Sequence, residues 1–321
     1  MAVYTHLGAE DLAALIAHYD VGALVSAKGI AEGVSNSNWL IETERARFIL
    51  TMYERRIELA DLPFFLGLLD HLSAADCPVP RTIHDSDGQA WRTVDGKAVA
   101  LIEFLPGVSV DRPTPAQARA VGGALARLHL ASADYPGTRE NDLRPSDWRA
   151  LFDRCGENLA RIDTALPALV DRHMPELLAE WPADLPATVI HADLFPDNVL
   201  MMGDRVGGLI DFYFACRDFA AYDLAVTHAA WCFGPDGRGF RADIGAALVS
   251  GYEAVRPLSA DERAALPLLA RGAAMRFIST RAFDWIDTPE DALVTRKDPM
   301  DFARRLEFYA EAGDRAFASR G

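Results

Sequence analysis

The stretch VIHADLFPDNVL (189–200) sets His191, Asp193, Asp197 and Asn198 close together behind a β-branched run that reads as the end of a strand. Further on, past a short hairpin, Asp211 is followed at once by Phe212. A loop of the length between Asp193 and Asn198 can bring the two side chains side by side, and the hairpin returns Asp211 across from Asn198. Three oxygen-bearing side chains then converge. Magnesium is a hard cation that takes oxygen ligands and is usually held by one or two carboxylates together with substrate phosphates, so Asn198 and Asp211 suit it. Asp193 is left to orient and deprotonate an alcohol.

The neighbouring polar residues read as support. His191 is expected to hold the loop by packing and hydrogen bonding, and Asp197 is a turn residue. Asp223, in AAYDLAV, has two open readings: an N-terminal helix cap, or a carboxylate that reaches back to the backbone of the 191–198 loop.

The elements that must position these groups can be traced along the chain. Leu12, Leu15, Ile16 and Tyr19 recur at helical spacing over 9–20. A Gly, Ser and Asn-rich loop, Gly29 to Asn38, then precedes two β runs, WLIET and RFILTMY. Helical spacing returns over 57–75, with Pro63 tolerable only near the start. A second hairpin, AWRTV and AVALIEFL, turns at Asp95-Gly96. Pro106-Gly107 closes that region. Beyond it helices are expected at 115–131, 146–163, 166–180, 219–232, 240–254, 260–281 and 300–317. They are interrupted by a β island at 187–212, the runs ATVI, NVLMM and VGGLIDF with a turn at Gly203-Asp204. The pattern predicts an α+β chain: a small antiparallel-sheet lobe over 1–105 and a larger, mainly helical lobe over 106–321.

Composition narrows the function. With 321 residues, half of them hydrophobic, the chain can bury a large interior. A net charge of −15 argues against a general nucleic-acid or membrane-surface binder, because the mean field repels polyanions. Cys77, Cys155, Cys216 and Cys232 lie at wide, irregular spacings that fit neither a disulfide framework nor a zinc site, so they are expected reduced and mostly buried. The N-terminus has no basic and apolar leader pattern, and no long uncharged apolar run occurs, so a cytoplasmic protein is expected. Motifs for P-loop, dinucleotide, nucleophile-elbow and zinc-protease chemistry are absent.

The order H-A-D-x-x-x-x-N, hairpin, D-F matches the parts that protein kinases use for base and metal. Together with GVSNSNW (33–39), FILTMYE (48–54), DLPFFLGLLDHL (61–72), LIEFLPG (101–107), LARLHLA (125–131) and GLIDFYFACRDFAAYDLAV (208–226), it resembles the aminoglycoside phosphotransferase and choline kinase superfamily, and within it the homoserine kinase branch. The resemblance covers nearly the whole chain. It implies a two-lobed protein-kinase-like fold, ATP and Mg²⁺ as cofactors, Asp193 as catalytic base, and Asn198 and Asp211 as metal ligands. It also implies a loop over the ATP phosphates that includes Gly33, Ser35, Asn36 and Asn38, and a segment Glu103, Phe104 and Leu105 whose backbone meets adenine. The implied partner is a small molecule, L-homoserine.

One departure stands out. The superfamily generally carries a Lys on the strand after the loop, and FILTMYE offers Thr51 there; Arg55 or Arg56, positioned by Glu54 or Glu58, is the available substitute. A zwitterionic substrate needs a cation for its carboxylate, for which Arg281, with Arg276, is the candidate, against pairing with Asp284. The alternatives are a kinase of choline, an aminoglycoside or methylthioribose, with Trp231, Phe233 and Trp285 as a choline cage, and a non-catalytic nucleotide-binding scaffold. Oligomeric state is not legible.

Overall fold

The computed structural model describes residues 7–30, 36–54, 58–288 and 296–318. The chain divides after Pro106 into two compact units.

In the first unit α1 (Ala9–Ile16) buries Leu12, Leu15 and Ile16. It ends sooner than the predicted residue 20: His18 N–H donates to Leu15 O and Tyr19 N–H to Ile16 O, a tightened last turn. Tyr19 is buried all the same. The strands β1 (Leu24–Ile30), β2 (Asn36–Thr43), β3 (Arg47–Tyr53), β4 (Thr82–Ile83), β5 (Arg92–Val94) and β6 (Lys97–Glu103) form one antiparallel sheet in the order β1-β2-β3-β6-β4, with β5 on β6. β3 is the predicted RFILTMY, whereas β2 starts earlier than WLIET, since Asn36 and Ser37 pair with Tyr53 and Met52.

Strand alternation decides what faces where. The row Trp39–Leu50–Leu101 joins the α1 residues in one core cluster, and the row one position along, Asn38–Thr51–Ala100, lies on the other face. Asp95 and Gly96 both have positive φ, at 50° and 77°, which the two-residue turn between β5 and β6 requires. The helix predicted over 57–75 is α2 (Leu62–Ala74), with Pro63 in its first turn, and Thr82 of β4 donates its hydroxyl to the Leu66 carbonyl at 3.0 Å.

The second unit is helical around two small ribbons. Its helices are α3 (Pro115–Ala131), α4 (Pro145–Cys155), α5 (Leu159–Ile162), α6 (Leu166–Glu180), α7 (Ala220–Trp231), α8 (Ala242–Glu253), α9 (Ala260–Asp287) and α10 (Met300–Ala312). The single helix expected over 146–163 is broken at Gly156, which takes φ 52°. α9 runs past the predicted residue 281 to Asp287, and α10 stops at Ala312 before a 3₁₀ turn.

The ribbons are β7 (Ala187–Ile190) with β10 (Cys216–Phe219), and β8 (Val199–Met202) with β9 (Arg205–Leu209). β10 has no counterpart in the sequence reading: CRDF is short and mostly polar and shows no alternation. Its pairing Cys216↔Ile190 fixes the strand from which the 191–198 loop leaves.

α7 is buried at every position, so it runs through the middle of this unit. α3 and α8 meet through glycine: a Cβ on Gly122 would lie 2.0 Å from the Leu248 carbonyl oxygen, and one on Gly251 2.0 Å from that of Arg119. All four cysteines are free and buried. No helix among the described residues is long and apolar enough to cross a membrane.

Candidate active site

The loop 191–198 is held from both sides. Asp223, in the first turn of α7, accepts the His191 and Ala192 backbone N–H groups at 2.7 and 2.8 Å, so it reaches back rather than capping its own helix. Ala192 has φ 62°, a conformation rare for a residue with a Cβ. Its carbonyl oxygen is taken by the guanidinium of Arg276, a buried residue of α9 that also lies over the Phe277 and Phe214 rings at 4.7 and 5.2 Å. Trp231 at the end of α7 donates its indole N–H to the Leu194 carbonyl at 2.9 Å.

His191 is enclosed, and burial keeps its imidazole below the usual histidine range. Its Nε2 faces the Ile210 carbonyl at 3.0 Å and its Nδ1 accepts the Asp193 N–H at 3.3 Å, which assigns the neutral Nε2–H tautomer. With both nitrogens engaged and Phe212 against the ring at 4.5 Å, it is a brace and not a base.

Asn198 donates its side-chain amide to the Asp193 carbonyl at 2.8 Å and to Asp193 Oδ2 at 3.3 Å. Its amide oxygen is what remains to offer. The Ile210 N–H donates to the Asn198 carbonyl at 3.0 Å, closing the mouth of the β8–β9 hairpin, so Asp211 emerges beside Asn198 as the spacing predicts. Asp211 takes φ 66°.

Electrostatics separates these carboxylates from their surroundings. Burial pushes Asp193 up to about 7; Arg276 and Lys297 pull it down and Asp211 adds to the rise. Asp211 keeps a face open to solvent, yet the protein packed around it and the charge of Asp197 move it above the usual carboxylate range, against Lys297 and the Tyr213 backbone N–H. The unfavourable burial of charge on Asp211 would be relieved by a cation beside it. Among the described residues no three His, Cys, Asp or Glu side chains gather into a complete metal cage. One carboxylate and one amide oxygen, with the remainder left to water and phosphate, is a set that fits Mg²⁺ better than zinc or calcium.

Asp223 connects the loop to residues that sequence reasoning did not single out. Burial alone would raise its pKa, but the hydrogen bond and charge of His129, with the backbone N–H of His191, hold it below the usual range. His129 of α3 faces Asp223 at 3.0 Å through Nε2 and the Tyr252 hydroxyl of α8 at 2.8 Å through Nδ1. The glycine contact between α3 and α8 brings these two helices close enough for that bond.

In the first unit, Thr51 donates its hydroxyl to Asn38 Oδ1 at 2.8 Å, and both sit on the face opposite the α1 cluster. Asn36 is buried with its Oδ1 unpartnered among the described residues. Gly33, Ser35, Arg55 and Arg56 lie outside the described residues. Glu54 accepts Ser37 Oγ–H at 2.7 Å and pairs with Lys97. Lys97 shares its face with Val99 of the α1 cluster, so it is not placed to replace a lysine at Thr51. Glu103 ends β6, and the backbone groups of Phe104 and Leu105 make no hydrogen bond among the described residues. A cavity of about 390 Å³ lined by Arg47, Phe48, Arg81, Glu103 and Phe104 adjoins them.

Arg281 donates to the Asp298 carbonyl at 3.1 Å and to Asp301 Oδ2 at 3.4 Å, and lies over the Phe302 ring. Phe233 packs with Phe240, Phe308 and Tyr309, while Trp285 sits under Arg296. With Trp231 buried on Leu194, these three aromatics serve separate clusters and make no cage.

The model of the phosphotransferase enzyme family matches residues 26–258. The chain belongs to that family. This phosphotransferase is 51% identical over 309 residues to a homoserine kinase of Azorhizobium caulinodans, with 96% of each chain covered. It is 51% identical over 314 residues to one of Methylobacterium radiotolerans, with 98% of each covered. Among solved structures it is similar to a spectinomycin phosphotransferase in complex with ADP and spectinomycin, with TM-score 0.71, 15% identity, and 98% and 99% of the two chains covered. A choline kinase from Cryptosporidium parvum gives TM-score 0.65 at 15% identity, with 92% and 91% covered. At these identities the structural likeness concerns the fold, which is the protein-kinase-like fold of aminoglycoside and choline kinases.

Proposed function

We propose that this phosphotransferase uses Mg·ATP to phosphorylate the side-chain hydroxyl of L-homoserine, a step of threonine biosynthesis. The observation that carries the chemistry is the Asn198–Asp193 pairing: one side chain steers the carboxylate and keeps an oxygen for a metal. Half-identity to homoserine kinases over nearly the full chain supports the substrate.

Asp193 is the base that orients the hydroxyl and takes its proton. Asn198 and Asp211 are the metal ligands. When bound, Mg²⁺ neutralises charge on the phosphate oxygens. His191 and Asp223 hold the loop in register, and positioning with charge neutralisation provides most of the rate. In the first unit, Asn36 and Asn38, with Gly33 and Ser35 by sequence, serve the phosphates. Glu103, Phe104 and Leu105 serve adenine, and the free backbone groups of the last two support this. The buried thiols support a cytoplasmic setting.

ADP release with Mg·ATP, measured against L-homoserine, L-serine, choline, methylthioribose and an aminoglycoside, tests the reading. Turnover on homoserine is the expected result. Turnover confined to another alcohol would move the substrate and keep the site, and ATP binding without any turnover would favour a scaffold.

A further inference from the structure

The peptide plane between Ala192 and Asp193 decides where the Asp193 side chain starts, because its carbonyl and its N–H belong to one rigid unit. Both groups are held. The N–H donates to His191 Nδ1 at 3.3 Å, and the carbonyl oxygen accepts from the Arg276 guanidinium. The plane also follows a strained residue. Ala192 takes φ 62°, a left-handed conformation that crowds its Cβ against the carbonyl oxygen that follows. The oxygen that is crowded is the one that Arg276 holds. If it were released, rotation of this peptide would relieve the strain and swing Asp193 with it.

Stability alone is a poor account of Arg276. It is 2% exposed, its Nε has no partner, and no carboxylate pairs with it among the described residues. A buried charge without a counter-charge is costly, and a neutral donor would hold one carbonyl at a smaller penalty. What the charge adds is a stronger bond to that carbonyl, about twice that of a neutral donor. The compensation comes from two ring faces, Phe277 at 4.7 Å and Phe214 at 5.2 Å. Each ring leads back to the site. Phe277 packs edge-on against Phe195 of the 191–198 loop at 5.0 Å, and Phe214 lies three residues beyond Asp211. One guanidinium therefore meets both segments that carry the reacting groups.

We propose that Arg276 is a positioning residue for phosphoryl transfer: it clamps the Ala192–Asp193 peptide against its own strain and so aims the Asp193 carboxylate at the substrate hydroxyl. The inference rests on the phosphotransfer reading above. Arg276 acts through the backbone and touches neither substrate nor nucleotide.

The test is a double-mutant cycle in the full-length protein, with wild type, Arg276→Met, Ala192→Gly and the double variant. Wild-type turnover on homoserine reads the activity itself, and the ratios among the four read Arg276, so the two can fail separately. Arg276→Met should lower kcat about a hundredfold, as a small misplacement of a reacting group does. Its KM for homoserine should stay within about threefold, because ground-state binding is untouched. Glycine meets no penalty in the left-handed region, so in the Ala192→Gly background the same substitution should cost about 5- to 30-fold less. If Arg276→Met does not fold, Arg276→Lys takes its place in the cycle, since it keeps the charge and gives up the planar fork. Equal losses in the two backgrounds would overturn the proposal. So would an unchanged kcat with a lowered unfolding midpoint, which would make Arg276 a support of the fold alone. A raised KM for homoserine at unchanged kcat would place Arg276 on the substrate carboxylate and overturn it too.

Discussion

Asn198 donates its side-chain amide to both the carbonyl and the carboxylate of Asp193, at 2.8 and 3.3 Å. The contact ties the proposed metal ligand to the proposed base, so the orientation of one depends on the other. Asp193→Asn keeps the shape, removes the proton acceptor and puts an amide against an amide. It should lower kcat by about 10² to 10⁴, roughly 3 to 5 kcal/mol of barrier, with little effect on ATP affinity. Near-wild-type turnover by this variant in a steady-state assay would remove Asp193 from the mechanism.

Asp211 has the opposite signature. Its alanine variant should lose Mg²⁺-dependent nucleotide binding, read by titrating ATP with and without Mg²⁺, while ADP in the absence of metal binds as in the wild type. Unchanged Mg·ATP affinity would contradict the ligand role.

The Asp223 carboxylate is buried under two consecutive backbone N–H groups and His129. Asp223→Ala orphans both backbone donors, at about 1 to 3 kcal/mol each. A loss of about 2 to 6 kcal/mol in denaturant unfolding, with turnover falling further than Asp223→Asn, is expected. A loss under about 1 kcal/mol would mean that the loop is held by other contacts.

Gly122→Ala sets two effects against each other. Helix propensity favours alanine by about 1 kcal/mol. The new Cβ would stand 2.0 Å from the Leu248 carbonyl oxygen, a backbone atom that cannot swing aside, and overpacking typically costs about 1 to 3 kcal/mol. The clash should win, and because it separates α3 from α8 it should loosen the His129–Tyr252 bond and lower kcat too. A stabilised variant with full activity would refute the close approach.

His228 gives the fold a pH dependence of known sign. Burial holds its imidazole down to about 3, against about 6.5 for an exposed histidine. Between these values the unfolded chain binds a proton that the folded chain does not, so this contribution is full above 6.5 and is lost as pH falls toward 3. The loss is up to about 1.4 kcal/mol per pH unit. Asp193 works the other way: its contribution is full below about 4 and is lost as pH rises toward 7. Unfolding midpoints of wild type and His228→Gln between pH 7.5 and 4.5 isolate the histidine. The wild-type advantage should shrink as pH falls, and a constant gap would show that His228 is not held neutral.

The sequence made the site legible where chemistry is local. Asp193, Asn198 and Asp211 are separated by a loop and a hairpin whose turn residues announce themselves, so their convergence follows from spacing. Asp95-Gly96 and the alternation in β3 are local in the same sense. What stayed hidden depends on distant partners. β10 is a polar tetrapeptide that becomes a strand only by pairing with β7. His129 and Tyr252 meet because two glycines let helices touch. In the sequence Arg276 and Arg281 stand as candidate substrate cations against pairing with Asp284 or facing solvent, and the structure places them on the Ala192 and Asp298 carbonyls.

Transfer of a phosphoryl group to homoserine with Asp193 as base is tested most directly by phosphorus NMR of the product. Wild-type protein with Mg·ATP and L-homoserine should generate a phosphomonoester resonance that grows in step with ADP, and Asp193→Asn should form it at least about a hundredfold more slowly. Inorganic phosphate as the sole new resonance, or equal rates of ester formation by the two proteins, would contradict the account.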